Sequence, residues 1–182
     1  MKKIVILGST NMAGHIISDC IFEGKDYQIY KIDENDFIND FSINIQLIKH
    51  IKPNYLINCI RYLVDESEKN PDSAIFINSF LPRYLEKTYL KTATKIIHLS
   101  TDCVFKGDKG NYDENFIPDG TSVYAKTKIM GEIINNKDIT IRTSYIGPNL
   151  NNVNEELLEW FLNQKDSVYG YKNAIWNGIT TL

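Results

Sequence analysis

Tyr124 and Lys128, four residues apart in the run SVYAKTK, are the residues best suited by type to move a proton. On a helix an i, i+4 pair shares one face, so the lysine ammonium would stabilise a phenolate and draw the tyrosine pKa from about 10 toward neutrality, where it serves as a general acid. The spacing alone is weak. With 11 tyrosines and 20 basic residues in 182, about one chance match is expected, and Tyr27 and Lys31 supply it. That second pair sits in a candidate strand, where four residues span roughly 13 Å, too far for tuning. Tyr124 gains weight from Ser100 and Thr101, hydroxyls at the carboxyl end of a preceding candidate strand, the edge where doubly wound sheets bind ligands. Either hydroxyl could instead cap a turn with Asp102.

The second constellation is the turn GSTNMAG, from Gly8 to Gly14. Backbone N–H groups at a helix N-terminus bind a diphosphate, and glycines let main chain and ligand approach closely. Gly8 and Gly14 suit that need. Asn11 stands where a middle glycine is common, and asparagine is the next best residue at a left-handed φ. Thr10 and Met12 complete the turn. Asp33 follows at the end of the next candidate strand, where a carboxylate accepts from an adenosine ribose hydroxyl. Together these read as a dinucleotide site. Asp33 favours NAD(H), while Lys31 leaves NADP(H) open.

Such groups need a rigid sheet edge, and the apolar runs provide one. Candidate strands are residues 3–7, 27–32, 55–59, 95–99 and 139–142, several apolar on both faces as in helix-covered parallel sheets. Between them run amphipathic segments 12–22, 43–51, 73–91 and 122–134, each long enough to cross back over a sheet. The alternation implies an α/β fold, a doubly wound, mainly parallel Rossmann sheet with helices on both faces. No boundary appears before about Pro148. Residues 1–148 are read as the nucleotide-binding domain and residues 149–182 as the start of an incomplete substrate-binding region, with a polar loop at 149–154 and a helix at 155–164.

Composition narrows the classes. The net charge of −3 comes from intermixed basic and acidic residues, which argues against nucleic acid and anionic lipid as partners. Cys20, Cys59 and Cys103 lack metal-ligand or disulfide spacing and read as free thiols, so no metal is expected. No apolar stretch approaches a membrane span, and a cytoplasmic location is expected. His15, His50 and His98 read as surface or core residues, residues 65–68 as a solvated acidic loop, and Asn78 as a satisfied helix residue.

The runs HLSTDCVFKGDKGNYDE, SVYAKTKIMGE and IRTSYIG resemble the dTDP-4-dehydrorhamnose reductase (RmlD-like) branch of the extended short-chain dehydrogenases. The resemblance implies an NAD(P)H-dependent oxidoreductase that reduces the 4-keto group of a nucleotide-linked deoxysugar. By position it makes Thr101 the hydroxyl holding the substrate carbonyl, Tyr124 the proton donor, and Lys128 its tuner and a ribose ligand. Asn58, Cys59, Ile60 and Ser100 would line the cofactor, and Asp40 would contact adenine. Thr143, Ser144, Tyr145 and Trp176 would face the substrate, Tyr145 where relatives often carry tryptophan. The resemblance also implies a homodimer and a longer chain, since YKNAIWNGITTL breaks off inside a segment that continues in relatives. Two other readings stand beside it. One is a non-catalytic NADP(H)-binding regulatory subunit, like the β subunit of methionine adenosyltransferase; the other is a sugar-nucleotide epimerase or dehydratase.

Overall fold

The computed structural model describes residues 1–22, 25–148 and 156–181. Five parallel strands form its centre: β1 (Lys2–Leu7), β2 (Tyr27–Ile32), β3 (Tyr55–Asn58), β4 (Lys95–Leu99) and β5 (Ile139–Ile141), in the order β2-β1-β3-β4-β5. The expected Rossmann-like α/β sheet is present. Its register pairs Leu7 with Ile32 and Asn58, Asn58 with His98, and Leu99 with Ile141. The carboxyl ends of neighbouring strands therefore emerge together.

The unbroken apolar run of β1 follows from burial on both faces. Val5 and Leu7 join Ile32, Phe37, Ile45, Ile48, Leu56, Leu81, Leu85 and Ile96 on one side, while Ile4 and Ile6 join Ile57 and Cys59 on the other. Each such aliphatic side chain contributes about 1.5–3 kcal/mol. The first face is packed by α2 (Glu34–Asn39), α3 (Phe41–Ile51), α6 (Leu81–Tyr89) and the residues just beyond α7 (Val123–Gly131). The second is packed among the described residues by Ile17 and Phe22, from the π-helical continuation (Ile17–Ile21) of α1 (Met12–Ile16) and its end.

Two short helices, α4 (Val64–Lys69) and α5 (Pro71–Ala74), precede a π-helical turn, Ile75–Phe80, that runs into α6. Pro82 explains that turn. It has no N–H for the carbonyl of Asn78, so the α-helical ladder cannot close and the backbone widens. Gly131 of α7 packs on that carbonyl; a Cβ there would lie 1.9 Å from Asn78 O. Among the described residues, a two-stranded parallel sheet, β6 (Tyr145–Ile146) with β7 (Ile179–Thr180), and α8 (Leu157–Leu162) follow.

Four elements differ from the sequence reading. Helix α2 was not expected; Asp33 caps it by accepting the Asn35 N–H at 2.8 Å, and Phe37 anchors it at 0% exposure. Residues 65–68 are helical rather than a loop, because Glu66 accepts the Leu63 N–H and Ser67 is buried. Strands β6 and β7 are too short to show alternation. The loop proposed at 149–154 lies outside the described residues, as does Glu155.

Candidate functional site

The turn after β1 is built as its glycines require. Gly8 has φ +73° and its N–H donates to Ile32 O at 2.9 Å. A Cβ on Gly14 would lie 1.9 Å from Gly8 O, so only glycine lets α1 approach the turn this closely. Asn11 departs from the reading that places it in the left-handed region: its φ is −77° and it is the N-cap of α1. Its Oδ1 accepts the Gly14 N–H at 2.9 Å, and its Nδ2 donates to the carbonyl of Cys59 at 2.6 Å. Met12 is buried beneath the turn. Thr10 donates its hydroxyl to the Asp33 carboxylate. Burial raises the Asp33 pKa, but hydrogen bonds from Thr10 and from the N–H groups of Asn35, Asp36 and Glu34 outweigh it and hold the carboxyl below its usual range. Lys31 is paired with Asp19.

At the end of β3, Asn58 is fully buried, accepting from the Ile60 N–H at 3.2 Å and meeting His98 Nδ1 at 3.1 Å. Burial, then the Lys128 charge, drive the His98 pKa well down. The Cys59 thiol is pushed up to about 12 by burial, so this residue offers the site its main chain.

Thr101 follows β4 and caps a 3-10 turn, Asp102–Val104, accepting the Cys103 N–H at 3.1 Å. The Thr101 hydroxyl donates to Asp102 Oδ1 at 3.3 Å and lies near enough to the Tyr124 phenol to oppose the rise of its pKa. Tyr124 and Lys128 share the buried face of α7, whose N-terminus is held by Ser122, accepting from Ala125 N, and by Glu68, accepting from Val123 N at 2.8 Å. Lys128 donates to Leu99 O at 2.7 Å. Burial pushes the Tyr124 pKa up, contrary to the expected descent toward neutrality; the strongest opposing influence is the Arg61 charge, followed by the Thr101 hydroxyl. Lys128 is itself lowered to about 8, by burial and then by Arg61.

Arg61, absent from the sequence reading, thus acts by its charge on Tyr124, Lys128, Cys59 and Tyr145 together. Its guanidinium donates to the Tyr145 hydroxyl at 2.8 Å and pairs with Glu156, with little of either side chain exposed. Burial pulls its pKa down, but Tyr145, Glu156, Tyr124 and Glu34 together hold it above the usual arginine value. Glu34, also missed, is half-buried and faces Asn11; burial raises it to about 7. A lone basic residue directly after an apolar strand, INCIRY, is the signal that could have revealed Arg61.

The RmlD substrate binding domain family matches residues 1–167. The chain belongs to that family. It is 30% identical over 152 residues to the dTDP-4-dehydrorhamnose reductase of Aggregatibacter actinomycetemcomitans, covering 80% of this chain and 52% of that protein. The Mycobacterium tuberculosis (strain H37Rv) reductase is 31% identical over 140 residues, covering 72% and 44%. Among solved structures, the Bacillus anthracis dTDP-4-dehydrorhamnose reductase in complex with NADP superposes with a TM-score of 0.71 at 29% identity, covering 82% of this chain and 57% of that one. The chain spans about half the length of the curated relatives it matches.

The remaining expected residues distribute unevenly in this RmlD-family chain. Ser100 donates its hydroxyl to Glu132 at 2.9 Å, where Glu132 also holds Arg142 through two 2.8 Å bonds. Thr143 and Ser144 follow β5, half-buried, with Ser144 O accepting the Ile179 N–H. Trp176 is half exposed against Gly178 on the segment leading into β7. Asp40 is exposed at the junction of α2 and α3, its carbonyl accepting from Asn44. Asn78, read as a satisfied helix residue, is one: its side-chain Oδ1 accepts the Tyr62 N–H at 2.9 Å and its Nδ2 donates to Tyr62 O at 3.1 Å, fixing the loop that carries Arg61. Among the described residues no group of His, Cys, Asp or Glu side chains could hold a metal, and no helix is long and apolar enough to cross a membrane.

Proposed function

We propose that this chain is the cofactor-binding part, residues 1–148, with the beginning of the substrate-binding part, residues 149–182, of a cytoplasmic NAD(P)H-dependent reductase. Its substrate would be a nucleotide-linked 4-keto-6-deoxysugar, as in the dTDP-4-dehydrorhamnose reductase reaction of deoxysugar and cell-surface polysaccharide biosynthesis. The observation that carries this reading is the meeting of the glycine turn, Thr101, Tyr124 and Lys128 at one sheet edge.

The residues present fit a dinucleotide. The close approach of Gly14 to Gly8 is the packing that a diphosphate-binding glycine turn requires, and Asp33 follows β2 where a ribose hydroxyl would need an acceptor. Asn11 alters the fit, because it already accepts the Gly14 N–H and leaves one amide fewer for the ligand. The reduced nicotinamide supplies a hydride when bound. The chain's own groups handle the proton: Tyr124 Oη donates to the carbonyl oxygen of the sugar as negative charge develops there, and Thr101 Oγ1 orients that oxygen. Arg61 adds the positive charge that favours the phenolate that remains, while Lys128 is held by Leu99 O one turn further along α7.

Nicotinamide fluorescence tests the cofactor step directly. NADH or NADPH should bind the unmodified chain, and Gly14→Ala should abolish binding because the added methyl displaces α1 from the turn. Retained binding by Gly14→Ala would remove the glycine turn from the proposal. A second reading, binding without turnover, is favoured by the raised phenol pKa of Tyr124. Reduction of dTDP-4-dehydrorhamnose by the chain, lost in Tyr124→Phe, would exclude it.

A further inference from the structure

Asn58 closes β3 and His98 stands beside it on β4, paired in register and both buried, at 0% and 1% exposure. Their hydrogen bonds fix one another's orientation. The Ile60 N–H can only donate and lies 3.2 Å from Asn58 Oδ1, so the amide oxygen is the acceptor there and Nδ2 faces His98. Asn58 Nδ2 meets His98 Nδ1 at 3.1 Å. An amide nitrogen carries donors alone, so His98 Nδ1 holds the lone pair and the ring proton resides on Nε2. That Nε2 is buried with no hydrogen-bond partner among the described residues. The ring thus forgoes a bond of its own while completing that of Asn58.

What Asn58 holds is the segment on which the glycine turn rests. A Cβ on Gly8 would lie 3.1 Å from Ile60 N and 3.2 Å from Cys59 C, and the Cys59 carbonyl accepts from Asn11, the residue that caps Gly14 N. On the other strand Leu99, next to His98, accepts from Lys128 Nζ at 2.7 Å. The pair therefore bridges the strand that supports the turn and the strand that leads to Thr101. We propose that Asn58 and His98 are positioning residues for the cofactor: the neutral, Nε2-protonated ring fixes the Asn58 amide, and the amide sets the Cys59–Ile60 main chain against Gly8 and Asn11, so that the turn is preformed for a diphosphate. This role rests on the reading that the glycine turn takes a dinucleotide. Burial and the Lys128 charge both oppose a second proton on His98, which keeps the ring in the form that Asn58 requires.

The test sets NADH affinity, read by nicotinamide fluorescence, beside thermal unfolding. Asn58→Leu and His98→Phe should each weaken NADH binding about tenfold. The double variant should bind no more weakly than either single one, because each change breaks the same link. Leu85→Ala, in the same core but on α6, should lower the unfolding temperature and leave NADH affinity unchanged, which separates positioning from stability. Should the site variants fail to fold, the ring-nitrogen NMR signals of His98 in the unmodified chain at pH 7 report the tautomer directly, and a protonated Nε2 with a bare Nδ1 is expected. Unchanged affinity in Asn58→Leu or His98→Phe, additive losses in the double variant, an equal loss in Leu85→Ala, or a proton on Nδ1 overturns the inference while leaving the cofactor reading intact. Absence of NADH binding by the unmodified chain overturns the cofactor reading and this inference with it.

Discussion

At the scale of single residues, the pocket is arranged by burial more than by the tyrosine and lysine spacing. Lys128 is 1% exposed and has its pKa lowered to about 8. The folded state thus holds the proton less well than the unfolded chain, so stability is depressed below about pH 8 and recovers as pH climbs toward the ordinary lysine value. Lys128→Met should stabilise the chain by about 1–2 kcal/mol at pH 7, after allowing for the lost bond to Leu99 O, and the gain should shrink by pH 10 in denaturant titrations. Tyr124→Phe belongs to the same scale: it should lower reduction by about 10²–10⁴ while leaving cofactor affinity nearly unchanged. Equal loss of both would mean that the phenol holds the cofactor rather than the proton. The types and spacing of Tyr124, Lys128 and Thr101 were legible because each has a narrow chemical repertoire. Arg61 and Glu34 were not, because a charged residue near a strand end reads as solvated until the tertiary packing that buries it is known.

At the scale of elements, the parallel strands and crossing helices could be read from apolar periodicity, with ends displaced by one to three residues. What escaped were short helices of about one turn and a half, too short to show periodicity and held by local caps: α2 by Asp33, and α4 by Glu66 returning to Leu63 N. The joint between α7 and the π-helical turn invites a sharper expectation. A methyl group at Gly131 would overlap Asn78 O, so Gly131→Ala should destabilise by about 2–3 kcal/mol despite the higher helix propensity of alanine. Thermal unfolding checks this, and a neutral or stabilised variant would show that the two helices separate cheaply.

Across the whole molecule, the sheet is covered unequally. Periodicity suggested helices on both faces, and this holds strictly only where α1 and its continuation lie. Along the other face of β4 and β5, Ile97 and Leu99 are partly buried, while Ile139 and Ile141 are 50% and 40% exposed among the described residues. An alternating strand buried on one side looks the same in sequence as one awaiting cover, which is why this asymmetry was not legible. Replacing Ile139 and Ile141 by threonine should change stability by no more than about 0.5 kcal/mol each, whereas Ile4→Ala on the covered part of the same face should cost about 2–4 kcal/mol. Urea unfolding separates the two cases.

Pro82 carries a last consequence. The amide hydrogen it lacks cannot be restored by a ligand, a change of solvent or a neighbouring subunit, so the widened turn around Asn78 is a permanent feature of the backbone. The seat on which Gly131 rests is for that reason covalently determined, and the height of the Tyr124 helix above the sheet is inherited from a ring closure some forty residues earlier in the chain.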